Sequence, residues 1–264
     1  MDFPTLDQLS TERPDLLRPG YSLSIFAGEA APAPIWWFVM LLAIDTSTRF
    51  VGVALYDGVQ VLSEKVWSSH DYHTVELAPA VEQTLAHSGL KVSDLSALAV
   101  ATGPGSFTGL RIGMALAKGI SLARHLPLIG VPTLDVLASA QPVMDLPLIA
   151  ALRAGRGRLA AGRYRSASGS WEAAGEAELL TAQALSAGIS QPTLVCGEFT
   201  AEERQLLARK RVNVILASPA QSVRRPSYLA ELAWTRWQSG DSDDPATLAP
   251  FYLQYHESNA NHGV

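Results

Sequence analysis

Three apolar runs open the regular part of the chain. Residues 41–45 (LLAID) are short, apolar and closed by an acid; residues 50–58 (FVGVALYDG) end in the turn pair Asp57-Gly58; residues 59–67 (VQVLSEKVW) alternate in character. Short polar links join them, so the pattern predicts an antiparallel meander of three strands. From about Thr74 the period changes. Val75, Ala78, Val81 and Leu85 fall at helical spacing, with Glu76, Glu82 and Gln83 on the other side. Pro79 inside this pattern predicts a kink or a first turn, and Gly89 closes it. Residues 96–103 (SALAVATG) read as a buried strand, 110–126 as a second helix, and 127–138 (PLIGVPTLDVLA) as a strand, a proline turn and a helix capped by Thr133.

Three strands, helix, strand, helix, strand is the order of a ribonuclease-H-like α/β layer. A second unit begins near Leu146. It has strand patterns at 146–152, 158–165, 193–198 and 212–216, and helices at 201–210 and 227–240. Residues from 245 read as a surface strap. The expected organisation is a tail at 1–39, a first half at 40–145, a second half at 146–254 and a short tail at 255–264. The first segment differs in composition from the rest. It sets Asp2, Asp7, Glu12, Asp15 and Glu29 against two arginines, carries five prolines (Pro4, Pro14, Pro19, Pro32, Pro34), and lacks the basic start of a secretory signal. Met40 then opens a well-formed strand. The segment reads as a loosely attached tail, or as sequence ahead of a true start at Met40.

Composition narrows the classes. A chain of 264 residues that is 48% hydrophobic and 17% charged has enough material for a sizeable core. Its net charge of -5 argues against coating nucleic acid through bulk charge. No apolar run reaches the roughly 18 residues of a membrane span. The single cysteine, Cys196, lies in an apolar run and reads as a buried small hydrophobe in a reducing, cytoplasmic compartment.

Two stretches carry candidate chemistry. The first is ATGPGSFTGLRIG, residues 101–113, where a strand meets a helix through a glycine loop. It lacks the lysine and hydroxyl of a P-loop, and Thr108 breaks the dinucleotide fingerprint begun by Gly103 and Gly105. Pro104 and Thr108 stand where a nucleophile elbow around Ser106 needs glycines. What remains is a tight turn in which Ser106 or Thr108 caps the helix, with free N–H groups able to hold an anion. The second is AIDTST, where Asp45 and the hydroxyls of Thr46, Ser47 and Thr48 could wrap a phosphate or simply cap a turn. His70 and His73 have no acids at metal-ligand spacing, so no metal is expected. Arg153, Arg156, Arg158, Arg163 and Arg165 form a basic run, read as a solvated face or a phosphate-backbone contact. Trp234 and Trp237 share a helix face and are expected to cover core.

LLAIDTST…VGVALYDG, H…LAPAVEQTL, ATGPGSFTGLRIG…AKGI and LIGVPTLDVLA together resemble the TsaB (YeaZ) family, strongly over 40–138 and more loosely to about 254. The resemblance implies an actin-like ATPase fold of two ribonuclease-H-like halves. It also implies a part in forming N6-threonylcarbamoyladenosine at position 37 of tRNA. In that reading the chain is a non-catalytic partner of TsaD, the ATPase TsaE joins the pair, tRNA is met through the complex, and a homodimer is open when the chain is alone. Relatives of the TsaD type carry an H-x-x-x-H metal pair in the segment where this chain has Thr133 and Leu137. The family often has an aspartate near the position of Arg153.

Asp45, Thr46, Ser47, Gly103, Gly105 and Ser106 are then vestigial phosphate loops, with no cofactor held tightly and ATP or ADP bound only weakly or at a complex interface. The partner surface is expected on the two helices: Val75, Ala78, Val81, Leu110, Met114 and Ile120 supply apolar contact, and Gly113 and Ala117 permit close approach. The alternative is a nucleotide-binding ATPase or sugar-kinase-like enzyme of the same fold, using Asp45, Thr46 and Ser106 around a phosphate. A glycoprotease, an older label in the wider peptidase M22-like group, lacks H-E-x-x-H or any visible nucleophile–base pair.

Overall fold

A computed structural model describes residues 39–69, 73–155 and 157–253. His70, Arg156, the segment 1–38 and the tail from 254 lie outside the described residues, and so do the expectations placed on them. The first sheet is built as the sequence pattern indicates. β1 (Leu41–Asp45), β2 (Phe50–Tyr56) and β3 (Val61–Ser68) form the antiparallel meander, and β4 (Ala97–Gly103) and β5 (Leu128–Pro132) extend it in parallel beside β1. The strand order is β3-β2-β1-β4-β5. The second sheet repeats this plan with β6 (Leu148–Arg153), β7 (Leu159–Ala167), β8 (Ser170–Ala173), β10 (Thr193–Gly197) and β11 (Val214–Leu216), in the order β11-β10-β6-β7-β8. A short β9 (Glu178–Leu180) pairs with β7. Each half is thus three antiparallel strands continued by two parallel ones, the ribonuclease-H-like layer, and the two together make the actin-like α/β architecture.

The period of two along each strand divides the core. Leu42, Ile44, Leu98 and Val100 face α1 (His73–His87) and α2 (Phe107–Arg124). Leu41, Ala43, Ala97, Ala99 and Ala101 face the opposite side, where α6 (Pro226–Gln238) lies. That second face is mostly alanine, which leaves room for the bulk of α6. Trp234 and Trp237 pack edge to face at 5.3 Å beside it, as their spacing suggests.

Chain order and packing order differ. α3 (Thr133–Ser139) follows the first sheet but sends Leu134, Leu137 and Ala138 into the core of the second, with Leu148, Ala150 and Leu152. α6 belongs by sequence to the second half but covers the first sheet. A cut near residue 146 separates the strands of the two halves and not their helices. On the far side of the second sheet lie α4 (Ala182–Gly188) and α5 (Ala201–Ala208). The strap after α6 pairs Asp243 with Leu128 and brings the Phe251 N–H to the Thr102 carbonyl at 2.7 Å.

Candidate functional site

The C-terminal ends of β1, β4, β6 and β10 converge where the two sheets meet, the place where open α/β sheets bind ligands. Both predicted phosphate loops lie there, and each is held by the other. Thr46 Oγ1 donates to the Gly109 carbonyl at 2.7 Å, and the Ser106 N–H donates to the Ser47 carbonyl at 2.6 Å. Ser47 Oγ pairs with Thr133 Oγ1 at 2.8 Å, and Thr133 Oγ1 accepts from the Gly103 N–H at 3.0 Å. The glycines exist for this contact. A methyl added at Gly105 would overlap the Ser47 carbonyl, one at Gly109 the Thr46 carbonyl, and one at Gly113 the Thr46 hydroxyl. What approaches the glycine loop closely is therefore the β1–β2 turn.

Ser106 is the N-cap of α2 and accepts from the Gly109 N–H at 3.2 Å. Thr133 does not cap α3, because Pro132 holds the N-cap position. Its buried hydroxyl instead ties the glycine loop to the Ser47 turn, while Leu137 fills core. Thr133 and Leu137 thus serve loop anchoring and packing.

Asp45 does not face an open phosphate site. One carboxylate oxygen accepts from the Ser47 N–H at 2.8 Å, and the other from Arg224 Nε at 2.5 Å. Arg224 Nη1 pairs with Glu198, and Nη2 donates to Thr48 Oγ1 at 3.2 Å and to the Phe50 carbonyl at 2.9 Å. Thr48 Oγ1 donates in turn to Glu198 at 3.1 Å. Both Arg224 and Asp45 side chains are 1% exposed. Burial alone would lower the Arg224 pKa, but the carboxylates of Asp45 and Glu198 outweigh it and hold the guanidinium firmly protonated. Arg224 and Glu198 were not foreseen from the sequence. Arg224 sits in a polar stretch ahead of a proline-initiated helix, where an arginine reads as exposed.

The other foreseen residues divide. Val81, Leu110, Met114 and Ala117 are buried, and Gly113 is closed against Thr46. They form the inward stripe of their helices, because a helix on a sheet must give that sheet its most apolar face. Leu110, Met114 and Ala117 are turned into the core, whereas Val81 also lines the groove between α1 and α2. Val75 at 67% exposed, Ala78 and the half-buried Ile120 remain outside. Between α1 and α2 runs an apolar groove of about 650 Å³, lined by Ala78, Glu82 and Ala86 of α1, Leu116 and Ile120 of α2, and Leu90 beyond α1.

His73 is buried, its Nε2 3.1 Å from the Thr48 carbonyl, and among the described residues no group of three potential ligands could hold a metal. In the arginine run, Arg153 lies 3.8 Å from Glu203, Arg163 4.0 Å from Glu178 and Arg165 3.3 Å from Glu172. Cys196 is buried, and burial pushes its thiol up to about 12. No described helix is long and apolar enough to cross a membrane.

Two ribonuclease-H-like layers, with a glycine loop closed onto the first hairpin turn and its polar groups paired within the protein, define an actin-like fold. The sequence profile of the family described as TsaD, tRNA N6-adenosine threonylcarbamoyltransferase, matches residues 60–216. The chain is 31% identical over 224 residues to the tRNA threonylcarbamoyladenosine biosynthesis protein TsaB of Bacillus subtilis (strain 168), covering 83% of this chain and 96% of that one. It is 43% identical over 98 residues to TsaB of Escherichia coli (strain K12), 37% of this chain and 42% of the other. Among solved structures it is similar to YeaZ from Pseudomonas aeruginosa, with a TM-score of 0.67, 26% identity, and coverage of 81% of this chain and all of that one. The chain belongs to the TsaB/YeaZ family, and its role lies in threonylcarbamoyladenosine biosynthesis.

Proposed function

We propose that this chain is a non-catalytic subunit that pairs with TsaD in the cytoplasm for formation of N6-threonylcarbamoyladenosine at position 37 of tRNA. TsaE joins that pair and tRNA is met through it. The observation that supports the reading is the internal pairing of the two loops. Phosphate chemistry needs free N–H groups and an available carboxylate at the loops. Here Ser106 and Asp45 have internal partners, and Arg224 supplies the positive charge beside Asp45. The face left for association is the groove between α1 and α2, with exposed Ala78 on its α1 side. Apolar surface of this kind, edged by a charge such as Glu82, is the composition of a protein contact.

Isothermal titration of the isolated chain with Mg-ATP tests the catalytic half of the proposal. The expected result is no tight binding. Tight binding abolished by Asp45→Ala would support the ATPase or sugar-kinase reading instead.

A further inference from the structure

We propose that Arg224 is a built-in occupant of the cleft, a latch that holds the two sheets in one closed arrangement, as a bound cationic ligand would. Its partners come from both halves. Asp45 ends β1 and Thr48 and Phe50 lead into β2 in the first sheet; Glu198 follows β10 in the second. The fork geometry of a guanidinium suits this task, because each face of the cleft receives its own N–H groups and no donor is shared. α3 also joins the sheets, packing on the second and hydrogen-bonding through Thr133 to the loops of the first. The sheets therefore share an apolar joint at α3 and a polar closure at Arg224. Thr48 carries the closure further, since its carbonyl accepts from His73 at the start of α1. Arg224 is thus a positioning residue for the β1–β2 turn and for the first turn of α1. None of this depends on which partner the chain has.

A buried ion pair often contributes little net stability, whereas removal of one member leaves stranded charge. Stability and closure can therefore be separated. Two proteins are compared with wild type: Arg224→Met, and the triple Arg224→Met, Asp45→Asn, Glu198→Gln, which removes all three charges. Stability is read by urea denaturation. Closure is read as the distance distribution between spin labels at Ala115→Cys on α2 and Gln183→Cys on α4, both exposed sites on opposite sheets. The single variant should raise the unfolding constant on the order of 10²- to 10³-fold. The triple variant should recover most of that loss yet show a broader distance distribution than wild type. Should the single variant not fold, the triple decides alone. A triple variant with the wild-type distribution would overturn the latch and leave Arg224 as a neutraliser of buried acids.

Discussion

At the scale of single residues, polar side chains in this protein are placed by what they hold. Ser106 is the legible case: a hydroxyl ahead of a helical pattern reads as a cap and is one. Arg224 is the illegible case, because its partners Asp45 and Glu198 lie 179 and 26 residues away, and no local period records such a contact. Asp135 offers a test of burial acting on charge. Burial raises its pKa above the usual 3.8, and the Tyr164 hydroxyl, donating at 2.7 Å, offsets only part of that. The folded state thus holds the proton more tightly than the unfolded state, so stability is lost as pH rises from about 3.8 through the raised folded value. Asp135→Asn keeps an acceptor for Tyr164 and carries no charge. Urea titrations across that window should show a flatter pH dependence for the variant and equal or greater stability at pH 7. An unchanged slope would contradict this account of Asp135.

At the scale of the element, α2 shows why a helix with two apolar sides misleads. Leu110, Gly113, Met114 and Ala117 form a stripe of the spacing and smallness that suits a close helix partner, yet their neighbour is the protein's own sheet and hairpin turn. Sequence fixes that such a stripe exists; which body meets it depends on where the sheet lies. The two glycines of this helix separate the roles. Gly113 abuts Thr46, so Gly113→Ala should destabilise by about 1–3 kcal/mol through overpacking. Gly119 is exposed with nothing near its missing side chain, so Gly119→Ala should stabilise by about 0.5–1 kcal/mol through helix propensity alone. Chemical denaturation of both variants checks the pair. Equal effects at the two positions would contradict the inward placement of Gly113.

At the scale of the whole molecule, the meander of the first sheet was readable from strand and helix patterns, because period and chain order survive in sequence; the short β8, β9 and α4 that complete the second half were not foreseen. Nor was the interlocking of the halves. α3 and α6 each cover the sheet of the other half, and an amphipathic helix does not specify which of two similar sheets it will choose. That exchange brings Arg224, just ahead of α6, to Asp45 where the two sheets meet. On the reading proposed above, the groove between α1 and α2 is the surface left for a partner. The central claim, that the chain serves a partner's chemistry through this groove, is tested most directly by reconstitution. TsaD, TsaE and the threonylcarbamoyl-adenylate synthase would be combined with tRNA, and threonylcarbamoyladenosine measured with wild type, with Ala78→Arg plus Ile120→Glu, and with the chain omitted. Modification should require the wild-type chain and fall at least tenfold, about 1.4 kcal/mol of coupling, with the folded groove variant. Modification that proceeds equally well without the chain would contradict the account.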